Sequence, residues 1–251
     1  VVSIDGQGEI ETTMTGRASE GRIQVLSSLE FPHSLGLFYT ALTYYLGYKP
    51  QSAEGTVMAL AALGHAEAEV PGLGRTYRDI FSEIITLEDN GTFRIGLDWF
   101  NYPHTRTGWV SASFTSLFGP PRTPESELDQ HFLNIAEAMQ QRFEEAYIHV
   151  LQDAHERTGS ANLALAGGCA LNCVANGKII SRTGFENVYI QPAAGDAGCA
   201  IGAAQLASIS LGDTVTPRQR LDTYLGPQFD NTEIEHALEL AKQPYEELAD
   251  P

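Results

Sequence analysis

The sequence is poor in basic residues. Its 251 residues include 15 lysines and arginines against 32 aspartates and glutamates, which gives a formal net charge of -17 at pH 7. A surface of that sign repels the phosphates of nucleic acids and the headgroups of anionic membranes. We therefore expect neither nucleic acid nor a membrane among the partners. A phosphate ligand would have to be held by backbone dipoles, by a metal or by a few local cations.

Long apolar runs and cysteines are also scarce. The apolar stretch 199–206 falls far short of the roughly 20 residues that a membrane span requires. No signal peptide is visible, because a strand pattern begins at Val1. The three cysteines are an odd number, which indicates reduced thiols and a cytoplasmic location. We expect Cys169 and Cys173 to be small buried hydrophobes rather than zinc ligands, since no second close pair of ligands accompanies them.

What the sequence does contain is a regular order of secondary-structure patterns. Hydrophobic periodicity and turn residues predict strands at 1–5, 9–14 and 22–29, helices at 35–47 and 54–63, a long helix from about 128 to 159, a strand at 162–166, a helix at 169–182, a strand at 187–191 and a helix at 197–210. Between these patterns, residues 65–126 are rich in glycine, proline and aromatic residues. They include a hairpin signal at 88–92.

This order predicts an α/β fold of a particular kind. Three meandering strands followed by alternating helices and strands are typical of a ribonuclease-H-like half, the unit that is duplicated in actin-like ATPases. An ordinary doubly wound sheet is the alternative. The predicted core comprises 1–64 and 127–212, with 65–126 as an insertion and 213–251 as a C-terminal helical extension. A stripe of small residues in the last core helix predicts tight packing at a domain hinge. It can also promote self-association of this chain, and a homodimer is one expected partner state. The residues are Gly198, Gly202, Ala203 and Ala207.

Two glycine-rich turns, at 165–172 and 191–198, carry the clearest chemical signal. Each follows a short apolar strand and opens a predicted helix. Unpaired backbone N–H groups and the positive end of the helix would then converge on one point, which suits a phosphate or a metal-bound anion. Gly167 and Gly168 also have a purely structural explanation, because glycine permits a tight strand-to-helix turn. Two such turns in succession indicate a nucleotide site.

Six segments give the chain a resemblance to a known family. They are DGQGE at 5–9, PHSLGLFY at 32–39, EGTVMALA at 54–61, FGPPR at 118–122, AGGCALN at 166–172 and GDAG at 195–198. In this order they resemble the ATP-dependent O-carbamoyltransferases of nodulation and antibiotic biosynthesis. Members of that family are similar to two-part enzymes. One part is actin-like and related to tRNA threonylcarbamoyl-transfer proteins, and the other makes carbamoyl-adenylate from carbamoyl phosphate and ATP. The present chain resembles the second half of the actin-like part.

The resemblance implies a nucleotide site that holds ATP in the form of carbamoyl-adenylate. Two of the residues concerned have local alternatives, since Asp5 also suits an Asx turn and Asn172 also suits the first turn of a helix. Thr56 and Ala59 depart from the Lys and Gly that many relatives carry, so a cationic contact from position 56 is not expected. The implied nucleotide-binding residues are Asp5, Gly6, Gly8, Gly167, Gly168, Asn172 and Gly195.

Asp196 is the candidate metal ligand. The resemblance implies that its carboxylate binds a divalent metal, expected to be iron, whose histidine ligands belong to a His-x-x-x-His motif that lies outside this chain. The alternative is a helix cap, because a carboxylate at a helix N-terminus needs no ligand. His33 and Ser34 are second candidates for the active cleft, and Arg122 is a candidate for an anion contact or a solvated surface residue.

The function implied by the resemblance is carbamoyl transfer. A hydroxyl of an unidentified acceptor, either a small molecule or a glycoconjugate, attacks the carbamoyl carbon of carbamoyl-adenylate, and AMP leaves. No general base is identified. The chain by itself is expected to be inactive. Two alternatives use the same fold: an ATPase or sugar kinase, and a non-catalytic nucleotide-binding module.

Overall fold

The computed structural model describes residues 1–105, 108–213, 226–246 and 248. The chain divides into two units, Val1–Ala207 and Ser208–Pro251. The first unit is an α/β structure built on a five-stranded mixed sheet. The strands of the chain are β1 (Val2–Ile4), β2 (Glu11–Ser19), β3 (Arg22–Glu30), β4 (Ile85–Leu87), β5 (Phe93–Ile95), β6 (Asn162–Ala166) and β7 (Asn187–Ile190).

The large sheet has the order β3-β2-β1-β6-β7. Its first three strands form the predicted antiparallel meander, whereas β1, β6 and β7 run parallel to one another. In the register of the central pair, Val2 lies opposite Leu165 and Ser3 opposite Ala166. Because parallel strands end at the same edge of a sheet, the turns that follow β1 and β6 lie side by side. This edge carries the candidate site.

Capping residues mark the ends of several α-helices. Ser34 accepts a hydrogen bond from the Leu37 amide, Asp129 caps the longest helix, and Gly159 ends that helix in the left-handed region at φ 60°. The helices are α1 (Leu35–Tyr45), α2 (Glu54–Leu60), α3 (Tyr77–Ile84), α4 (Ala112–Phe118), α5 (Gln130–Thr158), α6 (Cys173–Asn176), α7 (Ile179–Arg182), α8 (Cys199–Ser210) and α9 (Asn231–Leu240). None of the described helices has both the length and the apolar character needed to cross a bilayer.

The segment 65–126 packs onto the core through aromatic rings. Phe38 of α1 lies 6.4 Å from Phe81 and 5.9 Å from Phe100, measured between ring centroids, with edge-to-face geometry. Tyr45 contacts Phe114 of α4 in the same way at 4.9 Å. Such pairs add stabilisation beyond the apolar area that they bury. The segment also contains the predicted hairpin, formed by β4 and β5, and it shares one hydrophobic core with α1 and α5.

The prediction of a single helix over 169–182 is wrong. The segment forms a 3₁₀ turn at Gly168–Leu171, then α6, then α7. Asn172 breaks the helix because its ψ of 90° is not helical and its side chain caps α6 instead. As a result Cys169 is buried as predicted, whereas Cys173 is exposed, contrary to the prediction. In the predicted extension, α9 begins with a capping box at Asp230, and 214–225 lies outside the described residues.

Candidate functional site

A cleft of about 1250 Å³ opens at the edge of the sheet where β1 and β6 end. One wall consists of the turns after β1 and β6. Residues of α2 and of the loop 102–109, as far as that loop is described, also line the cleft. The cleft brings together seven of the residues predicted from the sequence, namely Asp5, Gly6, Gly8, Gly168, Asn172, Gly195 and Asp196.

Asp5 joins two turns through its carboxylate. It follows β1, and its Oδ1 accepts hydrogen bonds from the amides of Gly6 (2.8 Å) and Gly168 (2.9 Å). One carboxylate oxygen therefore holds the β1 turn against the β6 turn. Bonds to an ionised acceptor are stronger than bonds between neutral groups. We call this arrangement, Asp5 with the amides of Gly6 and Gly168, the Asp5 clamp.

The clamp corrects one sequence-based expectation. The turn after β6 was predicted to present unpaired amides to a ligand, but the Gly168 amide is bonded to Asp5 and the Gly167 amide to the Ala194 carbonyl, at 2.9 Å. Buried backbone donors are nearly always paired inside the protein. These two amides therefore stabilise the wall of the cleft. They are already hydrogen-bonded and are not free to bind a phosphate.

Gly167 and Gly168 have different structural roles. Gly167 does not line the cleft. It has a φ of +91°, and a Cβ there would lie 2.2 Å from the carbonyl oxygen of Ile4, so only glycine fits between β6 and β1. A Cβ at Gly168 would lie 3.0 Å from Asp5 Oδ1, the end of a side chain. Gly167 is thus fixed by packing, whereas Gly168 adjoins the clamp and the cleft.

Ser34 supports the same wall from α1 without lining the cleft. Its hydroxyl contacts the carbonyl oxygens of Asp5 (3.1 Å) and Gly6 (2.6 Å) and accepts from the Leu37 amide at 3.0 Å. The side chain is completely buried. Ser34 therefore attaches the start of α1 to the Asp5 turn, so its role is positional.

His33 and Arg122 lie away from the residues that line the cleft. His33 Nδ1 accepts from the Ile95 amide at 3.2 Å, which ties β5 to the core. Burial, followed by the nearby Arg94, lowers the pKa of His33. Arg122 is buried and donates to three backbone carbonyls, while its guanidinium lies 5.0 Å from the ring centre of Tyr48. It is neither solvated nor at the described wall of the cleft.

Asn172 caps a helix and also lines the cleft. Its Oδ1 accepts from the Ala175 amide at 3.0 Å, which confirms the cap on α6. The residue is 8% exposed and lines the cleft. A contact between Asn172 and a nucleotide stays a prediction.

Asp196 is exposed at the mouth of the cleft. Asp196 begins the 3₁₀ turn Asp196–Gly198, whose N-cap position is Gly195, and its role as a helix cap stays a prediction. Within the described parts of the chain, no group of three or more histidines, cysteines or acidic residues is placed to hold a metal ion. These residues alone do not make a complete metal site, and a metal-binding role for Asp196 stays a prediction that requires ligands from elsewhere.

Sequence reasoning missed Glu54 and the loop 102–109 as parts of the cleft. Glu54 Oε1 accepts from Thr40 Oγ1 at 3.1 Å and from the Gln51 amide at 2.7 Å. The signal was present, because Glu54 opens one of the six motif segments. The described part of the loop contributes Tyr102, His104 and Trp109 to the lining of the cleft. No local pattern predicts that placement, since it depends on contacts between residues far apart in sequence.

The described wall of the cleft is acidic. Asp5, Glu54 and Asp196 line it, and no lysine or arginine is among the described lining residues. Thr56, at the position where many relatives carry lysine, is exposed and does not line the described cleft. A phosphate group entering between these carboxylates would be repelled unless a cation or hydrogen-bond donors accompanied it.

Comparison with known proteins gives the same family that the six segments resemble. Residues 1–205 match the profile described as Carbamoyltransferase N-terminus. The nodulation protein NolNO of Sinorhizobium fredii is 35% identical over 90% of this chain and 30% of its own length. The nodulation protein NolO of Bradyrhizobium diazoefficiens is 35% identical over 94% of this chain and 40% of its own length. An uncharacterised protein of Synechocystis sp. is 40% identical over 94% of this chain and 38% of its own length.

The chain thus spans between 30% and 40% of the length of these relatives. The matched profile covers both glycine-rich turns, the Asp5 clamp and the whole described wall of the cleft. The chain belongs to the carbamoyltransferase family and corresponds to its N-terminal region.

Proposed function

We propose that this chain forms part of an O-carbamoyltransferase and that its cleft holds carbamoyl-adenylate during carbamoyl transfer. Family membership supports the reaction class. The observation that carries the proposal is the Asp5 clamp, which joins the turns after two parallel strands at the mouth of one cleft. Ligands of α/β proteins commonly bind beyond the carboxyl ends of parallel strands.

The strand order supports the proposal of a ribonuclease-H-like fold, as in actin-like ATPases. The meander β3-β2-β1 is extended by the parallel strands β6 and β7, with the long helix α5 between the meander and β6. In this proposal the described cleft is one side of a nucleotide site. The remaining side, the histidine ligands and the adenylate-forming part would come from outside this chain.

The transfer step consists of one substitution at the carbamoyl carbon. An acceptor hydroxyl oxygen forms the new C–O bond, the bond between the carbamoyl carbon and the AMP phosphate oxygen breaks, and AMP leaves with the electron pair. The acceptor proton passes to a base that is not assigned. The chain's own contribution is to orient the adenylate: Asp5 fixes the two turns, and Asn172 and Gly195 face the ligand.

The acidic residues of the cleft imply that the nucleotide binds together with a cation. The three carboxylates would repel the negatively charged phosphate of AMP, so we expect Mg²⁺ to accompany the nucleotide. Removal of Mg²⁺ by chelation should weaken ADP binding by the intact protein. The described residues alone do not form a complete metal site, so an iron ion would need ligands from outside this chain.

The test is AMP formation by the intact protein from ATP, with and without carbamoyl phosphate, with water or simple alcohols as surrogate acceptors. We expect AMP release that depends on carbamoyl phosphate and is lost in Gly168→Val but kept in Gly177→Ala, which lies outside the lining of the cleft and whose added Cβ makes only ordinary contacts, at 3.5 Å or more. Formation of ADP without a need for carbamoyl phosphate would favour an ATPase or kinase. Nucleotide binding without turnover would favour a non-catalytic module. Residues 1–251 alone are expected to show no transfer.

A further inference from the structure

A buried polar network lies behind the cleft, between α5 and the turn that contains Asn172. At its centre is Gln140, which is 4% exposed. Its side-chain amide pairs with that of Asn172 through two hydrogen bonds. Gln140 Nε2 donates to Asn172 Oδ1 at 3.1 Å, and Asn172 Nδ2 donates to Gln140 Oε1 at 3.0 Å. No sequence motif connects these two residues, which are 32 positions apart.

The orientation of both amides is fixed from two ends. The Ala175 amide can only donate, so the Asn172 atom that faces it must be Oδ1. Glu144 is buried and ion-paired with Lys178, so its carboxylate can only accept, and the Gln140 atom that faces it must be Nε2, at 2.9 Å. A reversed amide at either residue would place oxygen against oxygen or hydrogen against hydrogen.

Tyr39 completes the network and lines the cleft together with Asn172. Its hydroxyl donates to Gln140 Oε1 at 2.8 Å, and burial raises the pKa of Tyr39, so the hydroxyl keeps its proton. Gln140 thereby uses both Nε2 hydrogens and accepts two bonds at Oε1. Asn172 gives one Nδ2 hydrogen to Gln140. The second one is the hydrogen that the Asn172 side chain can offer to a molecule in the cleft.

We propose that Gln140 is a positioning residue of the ligand site, which locks the Asn172 amide so that Nδ2 presents a hydrogen-bond donor to a nucleotide in the cleft. This inference rests on the proposed function. Gln140 does not itself line the cleft and acts through Asn172. A flipped Asn172 amide would face the ligand with an oxygen and would also lose the cap on α6.

The experiment measures ADP affinity of the intact protein by calorimetry in variants of the pair. We expect Asn172→Ala and Gln140→Met each to weaken ADP binding about tenfold, the effect of one hydrogen bond of roughly 1.4 kcal/mol. The double variant should bind no more weakly than Asn172→Ala, because Gln140 acts through Asn172. Gln141→Met is the matched control: it removes the neighbouring glutamine of α5, which bonds to Glu137 at 3.0 Å outside the network.

A second variant keeps the test open if Gln140→Met does not fold. Gln140→Glu has the same shape but puts an oxygen opposite Glu144 and Asn172 Oδ1, so it should reduce ADP affinity to a similar extent. A ¹⁵N spectrum supplies an independent signal, because addition of ADP should shift the Asn172 side-chain NH₂ pair in the wild-type protein and not in Gln140→Met.

Two outcomes are separable. If Asn172→Ala weakens ADP binding while a folded Gln140 variant binds like the wild-type protein, or if the double variant shows additive losses, Gln140 is only structural and the inference is wrong. If the wild-type protein does not bind ADP, or if Asn172→Ala and Gly168→Val both bind it normally, the proposed nucleotide site itself is wrong.

Discussion

The two glycine-rich turns look alike in sequence but differ in what they offer to a ligand. The turn after β6 is built into the core, since the amides of Gly167 and Gly168 are bonded within the protein and Cys169 is buried. The turn after β7 is more open, with Asp196 exposed and a glycine, Gly195, at the N-cap position. A strand, a glycine turn and a helix therefore do not by themselves make an anion site. The first turn shapes the wall of the cleft, and the second presents a carboxylate to it.

The largest effect that separates the turns is on stability. We expect Gly167→Ala to lose at least about 3 kcal/mol of unfolding free energy, because the new Cβ would meet Ile4 O at 2.2 Å and the φ of +91° is unfavourable for alanine. Gly195→Ala should stay within about 1 kcal/mol, because its φ is -85° and its nearest Cβ neighbour lies at 3.7 Å. Urea denaturation measures both. Equal losses would contradict the comparison.

The second-largest expected effect is on ADP affinity, at Gly168, which belongs to the first turn and lines the cleft. Gly168→Val should weaken ADP binding by the intact protein about a hundredfold, because the side chain displaces the Asp5 carboxylate, which lies 3.0 Å from the position of the new Cβ. The fold should persist, since only the end of a side chain must move. Gly177→Ala, outside the lining of the cleft and with no Cβ contact below 3.5 Å, is the control. Normal ADP affinity in folded Gly168→Val would remove this turn from the site.

A smaller effect is expected at the open turn. Asp196→Ala in the intact protein should reduce bound metal and carbamoyl transfer together, by about tenfold, as expected for loss of one ligand group. Unfolding free energy should change by less than about 0.5 kcal/mol, because the side chain is exposed. Elemental analysis and thermal denaturation decide the matter. A stability loss of about 1 kcal/mol with unchanged metal content would identify Asp196 as a cap.

The smallest expected effect concerns two thiols, Cys169 within the first turn and Cys199 directly after the second. Burial raises the pKa of Cys169, so its thiol stays protonated and should react slowly with a disulfide reagent even at pH 9. Cys199, which follows the second turn, is exposed, as is Cys173, and both should react readily. Mass spectrometry of the labelled native protein identifies the modified residues. Labelling of Cys169 as rapid as that of Cys199 would show that the first turn is not buried as described.

Local signals predicted much of the fold because they operate over a few residues. The cap at Ser34, the left-handed glycine at Gly159 and the hairpin turn at 88–92 each fix a boundary from nearby sequence. The prediction of one helix over 169–182 was wrong because the side chain of Asn172 caps α6 and interrupts the helix. Hydrophobic periodicity contains no information on such a side-chain hydrogen bond.

The sequence predicted several residues that line the cleft, but it did not predict the hydrogen bonds between them. Motifs identified Asp5, Gly168 and Asn172 as neighbours of a cleft, and the structure places all three on its wall. Which donors are already used depends on pairs far apart in sequence, such as Asp5 with Gly168, 163 positions away. Arg122 is a second example. Its backbone carbonyl partners cannot be identified from the sequence, because they are set by the tertiary fold.

A crystal structure of the intact protein with AMP and Mg²⁺ tests the proposed nucleotide site most directly. We expect the adenylate in the described cleft, against Gly168, Asn172 and Gly195, with the hydrogen bonds of the Asp5 clamp unchanged. An adenylate bound elsewhere, with this cleft empty at saturating AMP, would contradict it.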